Sequence, residues 1–248
     1  MKELRDDAVV IRSYRSGESD RIVVLWTRSH GKVRVVAKGV RKSTSRLGGN
    51  LETLAYVDVD LVKTRGDFFI ARHVAHRQRL TTLRGDYARI NAGYAVVEVV
   101  DAIPSEDVAD EGVFDLLIRV LTTLDDPLYN PVLVPASFYL KLLVHDGSEP
   151  VLDQCVNCAR PGPLVAFDAS IGGALCSQCR SGSSISPDGL TLLRRILGGD
   201  LGTVLREDDP PGAAEVAVLA QDSIESHFGR RLRVSRSYAP LAPPRIDR

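Results

Sequence analysis

The chain has 248 residues, of which 44% are hydrophobic and 26% charged, a balance that allows a packed core and excludes a disordered, collagen-like or membrane-embedded class. Its 32 Lys+Arg and 32 Asp+Glu cancel overall. The cancellation is not local: residues 1–85 hold 18 basic and 9 acidic side chains, a net of +9, and residues 86–248 hold 14 and 23, a net of −9, the asymmetry of a nucleic-acid-binding segment joined to something else.

Five runs rich in β-branched and aromatic residues open the chain, at Ala8–Tyr14, Arg21–Arg28, Lys32–Lys38, Thr53–Lys63 and Asp67–His76, with turns at Ser16–Ser19, Ser29–Gly31 and Arg65–Gly66. The third run alternates, setting Lys32, Arg34, Val36 and Lys38 on one face and Val33, Val35 and Ala37 on the other. The fourth sets Ala55, Val57, Val59 and Leu61 against Tyr56, Asp58 and Asp60. Five strands in so short a segment suit a small closed barrel better than a two-sheet sandwich, so residues 1–80 are expected to form a five-stranded OB-fold. Trp26 reads as core, while Tyr14 fits either core or a stacking surface. Between strands three and four, Gly39–Asn50 is too polar to bury; it forms a surface loop carrying Arg41, Lys42 and Arg46. With Arg34 and Lys38 these make a candidate stripe for nucleic-acid phosphates, whose neutralisation releases counterions.

Beyond residue 80 the apolar period lengthens to that of a helix, giving an α+β protein with a helical domain over 81–236. The first helix, Asp86–Ile103, carries Tyr87, Ile90, Ala95, Val96 and Val99 and stops at Pro104. Ser105 is the expected N-cap of the next, with Glu106 and Asp107 at its positive end and Leu116, Leu117, Val120 and Leu121 as its buried stripe. A third, kinked by Pro135, runs through Phe138–His145 and closes at Gly147. Ser186-Pro187-Asp188 starts Gly189–Leu197, and Ala213–Phe228 is the last helix. Residues 237–248, with Pro240, Pro243 and Pro244, are expected to be a flexible tail.

Within the helical half, Cys155-Val-Asn-Cys158 and Cys176-Ser-Gln-Cys179 are separated by 17 residues, the paired spacing of a four-thiolate zinc site. Leu164–Leu175 between them reads as a hairpin turning near Ile171-Gly172-Gly173. Four protein ligands leave no open coordination position, so one structural zinc per chain is expected. A redox dithiol needs only one such pair and a βαβ setting, and a zinc deaminase needs H-x-E with P-C-x-x-C, which is absent. His73 and His76 fall on opposite faces of a strand. No nucleophile elbow, Walker loop or dinucleotide fingerprint occurs, so an enzyme, including a nuclease, is the weaker reading. The amino terminus lacks a cationic start followed by an apolar block, and no apolar stretch is long enough to span ~30 Å of hydrocarbon. A cytoplasmic, nucleoid-associated protein without membrane attachment is expected.

The segment GESDRIVVLWTRSHGKVRVVAKGVRKSTSRLGG resembles the amino-terminal signature of the bacterial RecO family of DNA repair and recombination proteins: G-x-S-D, a hydrophobic strand with Thr, then G-K and a basic Gly-Ser-Arg loop. Downstream, FYLKLLVHDGSEPVLDQCVNCARPGPLVAFDASIGGALCSQC and HFGRRLRVSR are similar to that family's helix and zinc-finger run and to its basic close. The resemblance covers roughly residues 3–237. It implies a non-enzymatic recombination mediator that binds single- and double-stranded DNA, anneals complementary strands and, with RecR, helps load RecA on single strands coated by the single-stranded-DNA-binding protein SSB. On the matching positions it implies DNA contacts at Lys32, Arg34, Lys38, Arg41, Lys42 and Arg46 and metal ligation by Cys155, Cys158, Cys176 and Cys179. An acidic SSB tail wants cations, and residues 86–154 offer only Arg89, Arg119 and Lys141 against 13 carboxylates; Arg119 and Lys141 are the candidates. The alternative reading is an RNA-binding or transcription-associated zinc-ribbon adaptor, which would not anneal SSB-coated DNA.

Overall fold

The computed structural model describes residues 3–40, 48–64, 66–104 and 108–233. Arg41, Lys42 and Arg46, the expected Ser105 cap with Glu106 and Asp107, and the expected tail 237–248 lie outside the described residues. The chain divides into two compact units, Met1–Asp125 and Asp126–Arg248.

The first unit is built on β1 (Glu3–Ser16), β2 (Asp20–Thr27), β3 (Gly31–Ala37), β4 (Tyr56–Lys63) and β5 (Phe69–Gln78), closed in the order β1-β2-β3-β5-β4. All neighbours are antiparallel except β3 and β5, which pair in parallel at Val35↔Phe69 and Val36↔Ile70. This is the closed five-stranded barrel that the sequence led one to expect. The alternation of β3 holds, with Val33, Val35 and Ala37 buried and Arg34 and Lys38 exposed. In β4, Val57, Val59 and Leu61 join the same core. Strand β1 is long enough to serve two partners: Glu3–Val9 pairs with β4 and Ala8–Ser16 with β2. Between Val10 and Arg12 its register against β2 slips by one residue, leaving Ile11 as a bulge.

Three helices complete this unit: α1 (Thr81–Gly85), α2 (Tyr87–Ala102) and α3 (Glu111–Asp125). Asp86 caps α2 by accepting the Arg89 N–H at 2.9 Å. Tyr87, expected on the apolar face, stands 84% exposed in the first turn of α2. Gly93 lets this helix approach Leu54, since a Cβ there would lie 2.8 Å from Leu54 Cδ1. Leu54 itself holds a left-handed φ of 71°, which is why β4 begins at Tyr56 and not at Thr53. Helix α3 starts five residues beyond the expected cap, where Asp110 accepts the Val113 N–H at 2.9 Å. Its buried stripe is Val113, Phe114, Leu117, Val120, Leu121 and Leu124. Arg28 joins the end of β2 to this helix, with its guanidinium 2.7 Å from Asp115 and 4.6 Å above the Phe114 ring.

The second unit contains α4 (Val134–His145), a three-stranded sheet of β6 (Leu164–Asp168), β7 (Gly173–Cys176) and β8 (Ser183–Ser184), then α5 (Pro187–Leu197), α6 (Leu201–Val204) and α7 (Ala213–Phe228). Pro135 does not kink α4. It occupies the first turn, where its missing N–H has no intrahelical partner to lose. The helix closes with the Ser148 N–H on Leu143 O at 2.7 Å and the Gly147 N–H on Val144 O at 3.0 Å. Ser186 caps α5 by accepting the Gly189 N–H at 3.0 Å, and its own hydroxyl donates to Glu215 of α7 at 2.6 Å. No helix among the described residues is long and apolar enough to cross a membrane.

The β2–β3 turn is tightly fixed. Thr27, fully buried, donates to Gly31 O at 2.9 Å and accepts the His30 N–H at 3.1 Å. Gly31 has φ +66°, and a Cβ there would lie 2.1 Å from Val108 O. Gly31→Ala should therefore cost about 2 kcal/mol or more of stability. Gly17→Ala, at a φ of +63° with nothing within 4 Å, should cost only about 1 kcal/mol. Denaturant titration of the two variants measures the difference, and equal costs would contradict the close contact at Val108.

Candidate metal centre and nucleic-acid interface

The second unit brings the four cysteines together through two knuckles on one small sheet. In the first, the Ala159 N–H donates to Cys155 O at 2.8 Å and the Cys155 N–H to Arg160 O at 2.7 Å. In the second, which continues β7, the Cys179 N–H donates to Cys176 O at 3.1 Å. The expected hairpin is present as β6 and β7, closed by Gly172 N–H on Asp168 O at 3.0 Å. The chain leading into the first knuckle is clipped to the same hairpin by three backbone bonds, Val151 N–H to Gly172 O, Ala174 N–H to Val151 O and Val156 N–H to Ala174 O. A Cβ on Gly173 would lie 2.8 Å from Val151 O, so only glycine allows this approach.

All four Sγ atoms lie within 4.8 Å of one another, and Cys158 Sγ is 3.8 Å from Cys176 Sγ. Four sulfurs held tetrahedrally at a zinc–sulfur distance of about 2.3 Å would be separated by about 3.8 Å, so the donor set fits a thiophilic ion of that size. Backbone amides support thiolates here. The Cys176 N–H leads in pulling the Cys155 thiol down to about 6, and the Cys179 N–H leads in lowering Cys176. Cys179, hydrogen-bonded first to the Cys158 side chain, is pushed up to about 12, whereas the two lowered thiols, Cys155 and Cys176, are the buried member of each knuckle. A bound metal would be enclosed by four protein ligands, and its chemistry would be structural.

The expected DNA-contacting residues lie in the first unit. Arg34 and Lys38 are exposed on the outer side of β3. Lys32 shares that side, yet its side chain is only 10% exposed. Its ammonium donates to Asp101 O at 2.9 Å and Ile103 O at 2.8 Å, at the carboxyl end of α2 where the helix dipole is negative. Arg12, which the strand period did not single out because the bulge breaks it, emerges on the same outer face, paired through Val24 with Arg34. Of the two cations considered for an acidic tail, Arg119 is exposed on α3 in the first unit. Lys141, on α4 in the second, donates to Leu197 O at 3.2 Å.

Elemental analysis should find one metal ion per chain, and Cys155→Ala should lose both the ion and the hairpin's resistance to unfolding. Metal affinity should fall as pH drops, because each ligating thiol must release its proton. A metal-free wild type that unfolds at the same temperature as the metal-loaded protein would rule out a structural ion.

Two family models match the chain in succession: Recombination protein O N terminal over residues 1–73 and Recombination protein O C terminal over residues 84–236. Over 247 residues the chain is 34% identical to a DNA repair protein RecO of Streptomyces coelicolor, covering 95% of this chain and 98% of that one. The DNA repair protein RecO of Streptomyces griseus is 35% identical over 214 residues, 82% of this chain and 86% of its own. That of Streptomyces avermitilis is 34% identical over 247 residues, with the same 95% and 98% coverage. Matched by the two family models over nearly its whole length and at 34–35% identity to these relatives, the chain belongs to the RecO family of DNA repair and recombination proteins.

Proposed function

We propose that this chain is a non-enzymatic mediator of homologous recombination that holds DNA through its barrel and protein partners through its helical part. The observation that carries the reading is the geometry of β3, whose apolar residues fill the barrel core while Arg34 and Lys38 project outward beside the sequence that carries Arg41, Lys42 and Arg46. In this proposal residues 1–80 bind single- and double-stranded DNA. Basic side chains shield two like-charged backbones as complementary strands anneal, and residues 81–236 present surfaces to RecR and to SSB so that RecA is loaded on the coated strand. Lys32 contributes by fixing α2 against β3, leaving the phosphate contacts to its exposed neighbours. The four cysteines hold one structural zinc, and the protein acts in the cytoplasm at the nucleoid.

Phosphate contacts make affinity fall linearly with the logarithm of salt, with a slope close to the number of contacts. Reversing Arg41, Lys42 and Arg46 to Glu together should weaken DNA binding at low salt at least ~10-fold and flatten that slope by about 3. Unchanged affinity at low salt would sink the barrel assignment. For the partner surface, Arg119→Glu should weaken binding of an acidic SSB-tail peptide several-fold in fluorescence anisotropy while leaving DNA affinity intact. Equal peptide affinities would remove Arg119 from that surface.

A further inference from the structure

The outer face of β1, β2, β3 and β5 carries rows of side chains set by the strand register, because residues directly opposite each other project to the same side. One row is Val9, Trp26 and Lys32. It has an evident structural purpose, since Trp26 is fully buried and Lys32 is bound to the end of α2. Four residue positions along, Tyr14, Ile22, Val36 and Ile70 are successive partners across all four strands. Tyr14 is 41% exposed, and the other three are partly exposed. Four apolar side chains in unbroken sequence on the outside of a barrel are not needed to close its core, which is filled from the opposite face.

Charged rows border this strip, with Arg34 and Lys38 as exposed cations. On one side Arg12, Val24 and Arg34 form the adjacent row; the Arg12 guanidinium stands 5.6 Å from the Tyr14 ring centroid and is paired with Asp101 at 3.2 Å, while Arg34 is exposed. On the other side the next row is Ser16 and Asp20, whose carboxylate accepts the Gly39 N–H at 2.7 Å, with Lys38 exposed directly after Ala37. Three inter-strand spacings of about 4.8 Å give a strip roughly 14 Å long, room for about two or three unstacked bases. A duplex offers this surface only phosphates, because its bases are stacked inside. A single strand offers both a phosphate chain for the flanking cations and apolar base faces for the strip.

We propose that the Tyr14–Ile22–Val36–Ile70 strip is a platform for the bases of single-stranded nucleic acid, and that it makes the barrel prefer a single strand to a duplex of equal phosphate count. The proposal rests on the phosphate-binding reading given above and adds to it the contact that tells the two forms apart. Tyr14 supplies the aromatic plane, and Ile22, Val36 and Ile70 extend it as an apolar floor.

The test compares three probes at one salt concentration: an oligothymidine of about twelve nucleotides, an abasic strand with the same number of phosphates, and a duplex of that length. The wild type should bind oligothymidine about tenfold more tightly than the abasic strand. Tyr14→Leu combined with Val36→Thr should reduce that preference to within about twofold and leave duplex affinity and its salt slope unchanged; Tyr14→Phe alone should retain it. Unchanged duplex binding and far-UV circular dichroism certify the fold of the double variant. Equal wild-type affinity for the thymidine and abasic strands overturns the platform without needing any variant, and leaves the strip to a protein partner. A double variant that keeps the full preference overturns it too. A wild type that binds none of the three probes would instead remove the phosphate-binding reading on which the platform depends.

Discussion

Closure of the barrel is the constraint from which the rest of the first unit follows. With β1 pairing on both sides and β3 joined in parallel to β5, every strand surrenders one face to the shared core. Val33, Val35, Ala37, Val57 and Val59 are thereby committed inward, and their neighbours are obliged to face out. The outward residues then divide according to what lies over them. Trp26 is fully buried and Lys32 binds carbonyls at the end of α2, whereas Arg34, Lys38 and Tyr14 are exposed. A lysine and an arginine two residues apart on one strand consequently have different employment, the first as an internal cap for helix carbonyls and the second as surface charge.

The positive excess of the amino-terminal third is concentrated by the same arrangement. On the side formed by β1, β4 and β5, cations meet carboxylates: Arg5 with Asp60, Arg72 with Glu3, and Arg77 with Asp7 and Asp58. Such exposed pairs add little stability, but they neutralise the field on that side. The outer side of β3, with the basic sequence that follows it, is where the imbalance can be felt at a distance. The net charge of the whole chain conceals this, because the acidic remainder of the sequence cancels it numerically.

What could be read from the sequence was governed by the range of the interaction concerned. Period-two patterns in β3 and β4 and the paired cysteine spacing are local signals, and the barrel, the hairpin and the thiol cluster follow from them. Capping chemistry was equally local where it was unambiguous, as at Ser186 before α5. Long-range features were hidden. The first five residues of β1 are mostly charged and declare themselves a strand only through pairing with β4. Leu54 looks like strand but holds a left-handed backbone against Gly93. Pro135 resembles a helix breaker until its place in the first turn is known, and Tyr87 matches a helical period although its position at the helix start leaves it in solvent. The partnership of Lys32 with carbonyls some 70 positions downstream has no signature in a single sequence.

The bulge at Ile11 gives the outer face a dependence on parity. Before it, Ala8 and Val10 point into the barrel; after it, Arg12 and Tyr14 point out, although all four are even-numbered. One unpaired residue thus converts the end of β1 from wall to surface, and without it Arg12 and Tyr14 would be directed at the core. Homologous sequences can therefore be aligned meaningfully across this strand only if the extra residue is counted. A gap misplaced by a single position would match inward residues with outward ones and erase the surface from view.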